Sequence, residues 1–353
     1  MQGKKSVFLG SLMVLALFIF SFTIYPLTAA AEKKEVFKWK IQSAYPRGDV
    51  SMELLKVFAK NAEERSNGQL KITVFAEPEL VPGEQLFEAT QRGTIDMLHA
   101  LGAMWGGIVP VGEVEFGLPY AWRIPGDLKI SDSSESMREF FFVSGFADLL
   151  RKEYGKHGLY WLDMHTYGPI FTVSTKPIKK CEDLKGKKMR MEGSWMKYYD
   201  MLGARGTYIS GMEAYMGLKL GTLDGSQWDV SCLTAMKWYE VAPYWLRGAD
   251  PDHCIGHILV NQKSWNALPD NCKEALKGAG NDYFHALVKV HDGEMKKVAQ
   301  LVKDGKVVES WIDEDCLKTH AEVAYKLWEE IGNRDPAAAK AIEMIKEWKG
   351  LKK

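Results

Sequence analysis

"GLKLGTLDGSQWD", residues 217–229, and "TQRGTIDMLHA", residues 90–100, decide the fold between them. Each carries a glycine, a threonine, an aliphatic residue and an aspartate in that order, and each follows an amphipathic stretch. Phe87 and Tyr215 stand six residues before Gly93 and Gly221. Glycine takes the left-handed position just past a helix, and the aliphatic residue then begins a strand. The same helix end and strand start at two places predict two lobes built alike, each a small α/β sheet.

Working outward, residues 36–44 alternate as a strand. The helix that follows puts Leu54, Leu55, Phe58 and Ala62 on one face, with Ser51 as its cap and Asn67-Gly68 at its end. "LKITVFA" is a strand, residues 83–93 a helix and "TIDMLHA" a strand. That order implies parallel pairing with right-handed crossovers. A long helical stretch over about 133–157 leads to "GLYWLDM", and near Tyr167 the pattern restarts. "IFTVST" and "KKMRMEG" read as strands, "SWMKYYDMLG" as a helix closed by Gly203, and "GTYIS" as extended. Ser210 and Glu213 form a capping box for the helix that ends at Gly221. After Trp245 come one more strand, "CIGHILVN", and then mostly helix. The expected fold is α/β and two-lobed, with hinge strands or helices and a helical carboxyl-terminal region. Residues 32–167 with about 254–290 are assigned to lobe I, and 168–253 with about 291–353 to lobe II.

The chain has 353 residues and a formal charge of zero, so it is long enough for two lobes and carries no global basic field for nucleic acid. Lys4 and Lys5, a 16-residue apolar run over 7–22, and Ala29 and Ala31 before Glu32 read as a cleaved secretory signal. The run is short for a membrane span of about 20 residues. Cleavage leaves 44 basic against 46 acidic residues, a charge of −2, in an oxidising, periplasmic setting. Five scattered cysteines without a C-x-x-C read as buried small residues, with at least one left unpaired.

No nucleophile elbow, H-E-x-x-H, P-loop or G-x-G-x-x-G is present. His253 and His257 are four apart with Cys254 between them, but the segment runs into a strand where that spacing merely shares a face. No metal and no cofactor is expected. "IDEDC", residues 312–316, is an acidic helix start.

In open α/β sheets ligands sit beyond the carboxyl ends of strands. Arg190 ends one strand, just before a helix that starts near Ser194. A guanidinium fork beside helix N–H groups suits a planar carboxylate. Two roles stand open for Arg190: gripping such an anion, or a structural salt bridge with Glu192 or Asp183. Gln227 and Trp228 end another strand, and together offer an amide donor and acceptor beside a flat indole wall. Packing under the hinge is the other role open to Trp228. Of the 12 tryptophans only those near strand ends have a claim on a ligand, and Trp105 and Trp228 are counted with the site.

The pieces "GEQLFEATQRGTIDM", "CEDLKGKKMRMEG", "GMEAYMGLKLGTLDGSQW", "YEVAPYW" and "LVNQKSWNALPD" resemble, in order and spacing, the DctP-type solute-binding subunits of tripartite ATP-independent periplasmic (TRAP) transporters. The resemblance implies a two-lobed, periplasmic-binding-protein-like fold and a non-catalytic receptor that closes on a small organic anion and delivers it to membrane permease subunits; monomer and homodimer are both open. It places the substrate carboxylate on Arg190 and the ligand-facing positions on Gln227 and Trp228. The tryptophan is similar to that of the branch taking 2-oxo or 2-hydroxy monocarboxylates, in some members with a metal ion. Gln227 departs from an acidic residue there, which weakens a metal. Ile170 stands where sialic-acid-type members carry another arginine, so sialic acid is not expected. Glu192 replaces an apolar residue and is counted with the ligand-binding set, as a partner for Arg190 or a selector of ligands with a donor group. An exported enzyme acting on small organic acids and a ligand-presenting sensor for a membrane kinase are the alternatives.

Overall fold

The computed structural model describes residues 35–122, 130–249 and 252–351. The export signal and its cleavage point lie outside the described residues. The elements run β1 (Phe37–Ser43), α1 (Val50–Arg65), β2 (Leu70–Phe75), α2 (Leu86–Gln91), β3 (Met97–Leu101) and α3 (Val111–Phe116). Next come α4 (Ile130–Val143), α5 (Phe146–Gly155), β4 (Leu159–Ser174), β5 (Lys188–Arg190), α6 (Ser194–Met201), β6 (Arg205–Thr207), α7 (Gly211–Leu220) and β7 (Gly225–Asp229). The chain finishes with β8 (Tyr244–Arg247), β9 (Asp252–Asn261), α8 (Gln262–Ala267), α9 (Asp270–Lys303), β10 (Val308–Trp311), α10 (Glu314–Gly332) and α11 (Pro336–Trp348).

The two glycine-threonine runs fold the same way, bond for bond. Gly93 and Gly221 have φ of 79° and 72°. Thr94 and Ile95 both donate to the Ala89 carbonyl, at 3.0 and 3.3 Å. Thr222 and Leu223 both donate to that of Gly217, at 2.9 and 3.1 Å. Asp96 Oδ2 then accepts from the Lys40 N–H on β1 at 2.9 Å, and Asp224 Oδ2 from the Lys188 N–H on β5 at 2.9 Å. Each aspartate therefore clamps its own strand start to the neighbouring parallel strand. This is why β3 and β7 begin just after the aspartates rather than at the threonines: the aspartate side chain takes the N–H of the neighbouring strand.

That local identity extends to the sheet. Its strand order is β2-β1-β3-β9-β4-β7-β5-β6, with β8 beside β4 and β10 beside β8. β1 is parallel to β2 and β3, and β5 is parallel to β6 and β7. β9 closes the first set antiparallel to β3, and β4 closes the second antiparallel to β7. The order 2-1-3-9 thus recurs, reversed, as 4-7-5-6, which is the two-lobed architecture expected. The halves join where β4 and β9 pair antiparallel from Leu159↔Asn261 to Ile170↔Asp252.

Several local expectations are corrected. The pattern does not restart near Tyr167: β4 is one strand of 16 residues, irregular between Trp161 and Asp163 and between Thr166 and Gly168. The long helix over 133–157 is two helices, because Gly145 (φ 86°) breaks it. Residues 83–85 form a 3-10 turn before α2. Asp49, not Ser51, caps α1, accepting from the Met52 N–H at 3.0 Å. β8 and β10 were not anticipated, since four residues apiece give too little alternation to read. The Ser210–Glu213 capping box is present, and Asp313 caps α10.

The cysteines are not all solitary. Cys181 and Cys316 form a disulfide across 135 residues, with Cα atoms 5.1 Å apart, while Cys232, Cys254 and Cys272 are free and buried. The bridge ties the loop before β5 to the start of α10. α10 packs on α6, and α11 packs on α3 and α5, so the carboxyl-terminal helices touch both halves. No helix of the described residues is long and apolar enough to cross a membrane.

Candidate ligand-binding site

The parallel strands of both halves point their carboxyl ends at one cavity of about 80 Å³. Beyond β1 lie Tyr45 and Asp49; at the end of β3 lies Leu101. β5 brings Arg190 and, just past it, Glu192, while β7 brings Gln227, Trp228 and Asp229. The joining strands supply Tyr167, Ile170 and Cys254, and α3 supplies Phe116. A water needs about 10–15 Å³ on this scale, so the cavity has room for about six non-hydrogen atoms. A larger open depression of about 500 Å³ lies between α5 and the start of α11. Its rim mixes Asp148, Glu153 and Asp335 with Lys152, Lys156 and Lys340, and no buried polar group converges there among the described residues.

Arg190 is 2% exposed and, among the described residues, the only cationic side chain lining the smaller cavity. Its Nε–H donates to the Ile209 carbonyl at 3.0 Å and Nη1 to the Gln227 carbonyl at 3.0 Å. Nη2 faces Glu192 Oε2 at 3.4 Å. The guanidinium lies between two rings, 4.6 Å from the Trp228 centroid and 5.1 Å from that of Tyr208. A guanidinium has five N–H donors. Three are committed to these partners; the remaining two border the Tyr208 hydroxyl and the cavity. These contacts hold the guanidinium beside the cavity. Glu192 is the carboxylate that faces Arg190, while Asp183 is occupied elsewhere, accepting from Lys179 and Lys180 N–H groups.

Trp228 presses its indole on Gly211 at the start of α7, where an added Cβ would come within 2.7 Å of the ring. It also packs on Trp238 with centroids 5.7 Å apart. Gln227 is 3% exposed, and its Nε2 has no hydrogen-bond partner among the described residues. The same holds for the Tyr45 and Tyr167 hydroxyls, whose rings sit 4.9 Å apart. Burial pushes both phenols well above their ordinary pKa, so they face the cavity as neutral donors or acceptors. Asp229 is held through Oδ1 by the Ser231 N–H at 2.7 Å. Burial pushes its carboxyl up to about 6, with Asp49 and Glu294 adding to the shift.

Arg190, Glu192, Gln227 and Trp228 are thus brought together. Trp105 is not. It is 3% exposed and packs on Phe87 and His257, with centroids 5.2 and 6.0 Å away, beneath rather than beside the cavity. The turn after β3 swings its side chain under the strand, which strand-end position alone does not reveal. His253 and His257 also part company: His253 meets Ser133 at 2.7 Å, and His257 meets the buried Glu115 at 3.0 Å. Tyr45, Asp49, Tyr167 and Asp229 were missed. The rule that found Gln227 also covers Asp229, the last residue of β7, and Tyr45, two past β1. For a metal the carboxylates do not converge. Among the described residues three ligand atoms cluster only at Cys181, Cys316 and His320, where the two sulfurs are already bonded to each other.

The family model for "Bacterial extracellular solute-binding protein, family 7" (DctP) matches residues 41–335. The chain belongs to this family. A monocarboxylate 2-oxoacid-binding periplasmic protein of Nostoc sp. is 24% identical over 325 residues, 90% of this chain and 84% of that protein. A C4-dicarboxylate-binding periplasmic protein of Rhodobacter capsulatus is 26% identical over 301 residues, 80% of this chain and 84% of the relative. Among solved structures, a TRAP solute-binding protein of Colwellia psychrerythraea with bound calcium and pyruvate superposes with a TM-score of 0.79. It is 22% identical and covers 90% of this chain and 95% of its own. DctP-type proteins are solute receptors of TRAP transport, not enzymes, and they work outside the cytoplasm with membrane permease components.

Proposed function

We propose that this chain, exported and cleaved before Glu32, captures a small monocarboxylate and hands it to the permease subunits of a TRAP transporter. The observation that carries this is Arg190, buried, tied to the Ile209 and Gln227 carbonyls, and lining a cavity of about 80 Å³. Two parallel N–H groups match a carboxylate and fix its orientation. Gln227 and the tyrosine hydroxyls then meet a polar substituent on the second carbon, with Trp228 and Ile170 against the apolar remainder. The Nostoc relative is named for 2-oxoacids and the Colwellia structure holds pyruvate, which supports a 2-oxo acid, and we extend the reading to the 2-hydroxy acids of the same shape. The cavity is small for a sialic acid, and Ile170 offers it no charge. The irregular stretch of β4 at Thr166–Gly168 adjoins the cavity through Tyr167, and we take it as the hinge on which the lobes close. Closure on the guest shifts an open–closed equilibrium that the permease reads.

Calorimetry of the mature chain against a panel of small carboxylates tests the reading. Monocarboxylates of three to five carbons should bind, with a change in Trp228 emission that a Trp228→Phe protein lacks. Saturable binding confined to uncharged solutes, or turnover of a bound acid, overturns it.

A further inference from the structure

One guanidinium and three carboxylates line the cavity: Arg190 against Asp49, Glu192 and Asp229. With the carboxylates ionised the lining sums to −2, and a simple monoanion would bring the count to −3. Asp49 is occupied in capping α1, and Glu192 faces Arg190. Asp229 accepts the Ser231 N–H through Oδ1, and its carboxylate lines the cavity with no cationic side chain among its hydrogen-bond partners. Gln227 Nε2, by contrast, is a buried donor in search of an acceptor. The wall therefore has two chemically opposite ends. Arg190 and Gln227 offer N–H groups to oxygens, and Asp229 offers a carboxylate to a cation.

Resting on the receptor reading above, we propose that the substituent on the second carbon is an amino group, and that the ligand is a small zwitterionic amino acid. Its carboxylate lies on the Arg190 fork and its ammonium on Asp229. The spacing suits this. The Gln227 carbonyl holds Arg190, and Asp229 is two residues further along β7, about 7 Å at the rise of an extended strand. A guest of about six non-hydrogen atoms spans from a fork at one position to a carboxylate at the other. A zwitterion also leaves the lining charge unchanged, where an oxo acid adds to an uncompensated negative field. A metal ion would be the other source of positive charge, but the cavity carboxylates do not converge as ligands do. Asp229 sitting with a raised pKa, about 6, fits a carboxyl short of a cation.

The experiment is calorimetric titration at about pH 7.5 with matched sets of three to five carbons, such as alanine, lactate and pyruvate, that differ only in the second-carbon group. The amino acid of at least one set should bind ten-fold or more tighter than its hydroxy and oxo partners. Asp229→Asn should abolish that preference, as read from the ratio of dissociation constants, while circular dichroism shows a folded chain. Tighter binding of a hydroxy or oxo acid overturns the inference and leaves the receptor reading standing. So does an oxo acid that binds only when calcium or sodium is added, or a preference that survives Asp229→Asn. Absence of binding by every acid overturns both.

Discussion

Arg190→Lys is the most informative single change. Lysine keeps the positive charge but replaces a planar five-donor fork by a point charge with three. In the native cavity three guanidinium N–H groups are spent on Ile209, Gln227 and Glu192. The other two border the Tyr208 hydroxyl and the cavity, and in the proposed pose the guest takes them. A lysine ammonium that reaches the guest satisfies at most one carbonyl as well, so at least one ligand bond or one buried carbonyl goes unmet. A hydrogen bond to a charged group contributes about 1.5–3 kcal/mol, which corresponds to roughly a 10- to 150-fold weaker Kd. Arg190→Ala removes both bonds and the charge, and should weaken binding by more than about 150-fold. Affinity should therefore fall in the order native, Arg190→Lys, Arg190→Ala. Calorimetry at fixed ionic strength measures it, with a thermal scan of each empty protein to separate folding from binding. Equal Kd for the native and Arg190→Lys proteins would mean that planarity is irrelevant, and the bidentate argument would fall. A drop in Tm with no drop in affinity would make Arg190 a structural ion pair.

Three further outcomes follow from the same structure. Gly93→Ala and Gly221→Ala each force a side chain into the left-handed region and should lose about 1–2 kcal/mol, by similar amounts, in denaturant titrations. Both lie at the strand starts remote from the cavity, so a changed Kd would contradict the matched-turn reading. Opening the Cys181–Cys316 bridge by a double serine replacement releases a loop of more than a hundred residues and should destabilise by about 3–5 kcal/mol, seen as a lower Tm insensitive to reductant. The third concerns pH. Burial holds His99 and His253 down to about 3, His291 to about 4, and His165 well below its ordinary value. Below about pH 6.5 the unfolded chain takes up protons that these folded histidines refuse, so they cost stability as pH falls. Asp229 and Asp252, raised to about 6 and about 7, act in the opposite sense, binding protons first in the folded state. Asp163 and Glu113 are raised as well, but the four histidines refuse a proton across the whole of this window, so Tm should fall between about pH 6 and 4; a rising Tm would refute the buried, neutral histidines.

How much was legible in the sequence differs by residue. Gly93, Gly221, Ser210 and Glu213 could be read directly, because their turns and hydrogen bonds close over a few residues, whereas the repeat showed Asp96 and Asp224 but not the neighbouring strands they bind. Arg190, Gln227 and Trp228 could be placed beside the cavity because parallel strands present their carboxyl ends on one edge, so position on a strand implies position near a cleft. The rule is silent on direction, which is why Trp105, also past a strand, turned out to be core. Asp229 satisfies the same strand-end rule, but that rule does not say which strand-end side chains border a cavity.

By itself the chain determined two alike halves, an arginine at the end of one strand and an amide–indole pair at the end of another. These rest on short-range sterics and on alternation, which neighbours along the chain dictate. Tertiary structure alone decided that β4 runs unbroken from one half to the other, that Cys181 meets Cys316, and that Asp49 and Asp229 join Glu192 around a single guanidinium. The reason is distance in sequence. Charge balance in a cavity and the closing of a bridge are sums over groups up to 180 positions apart, and no local pattern contains that sum.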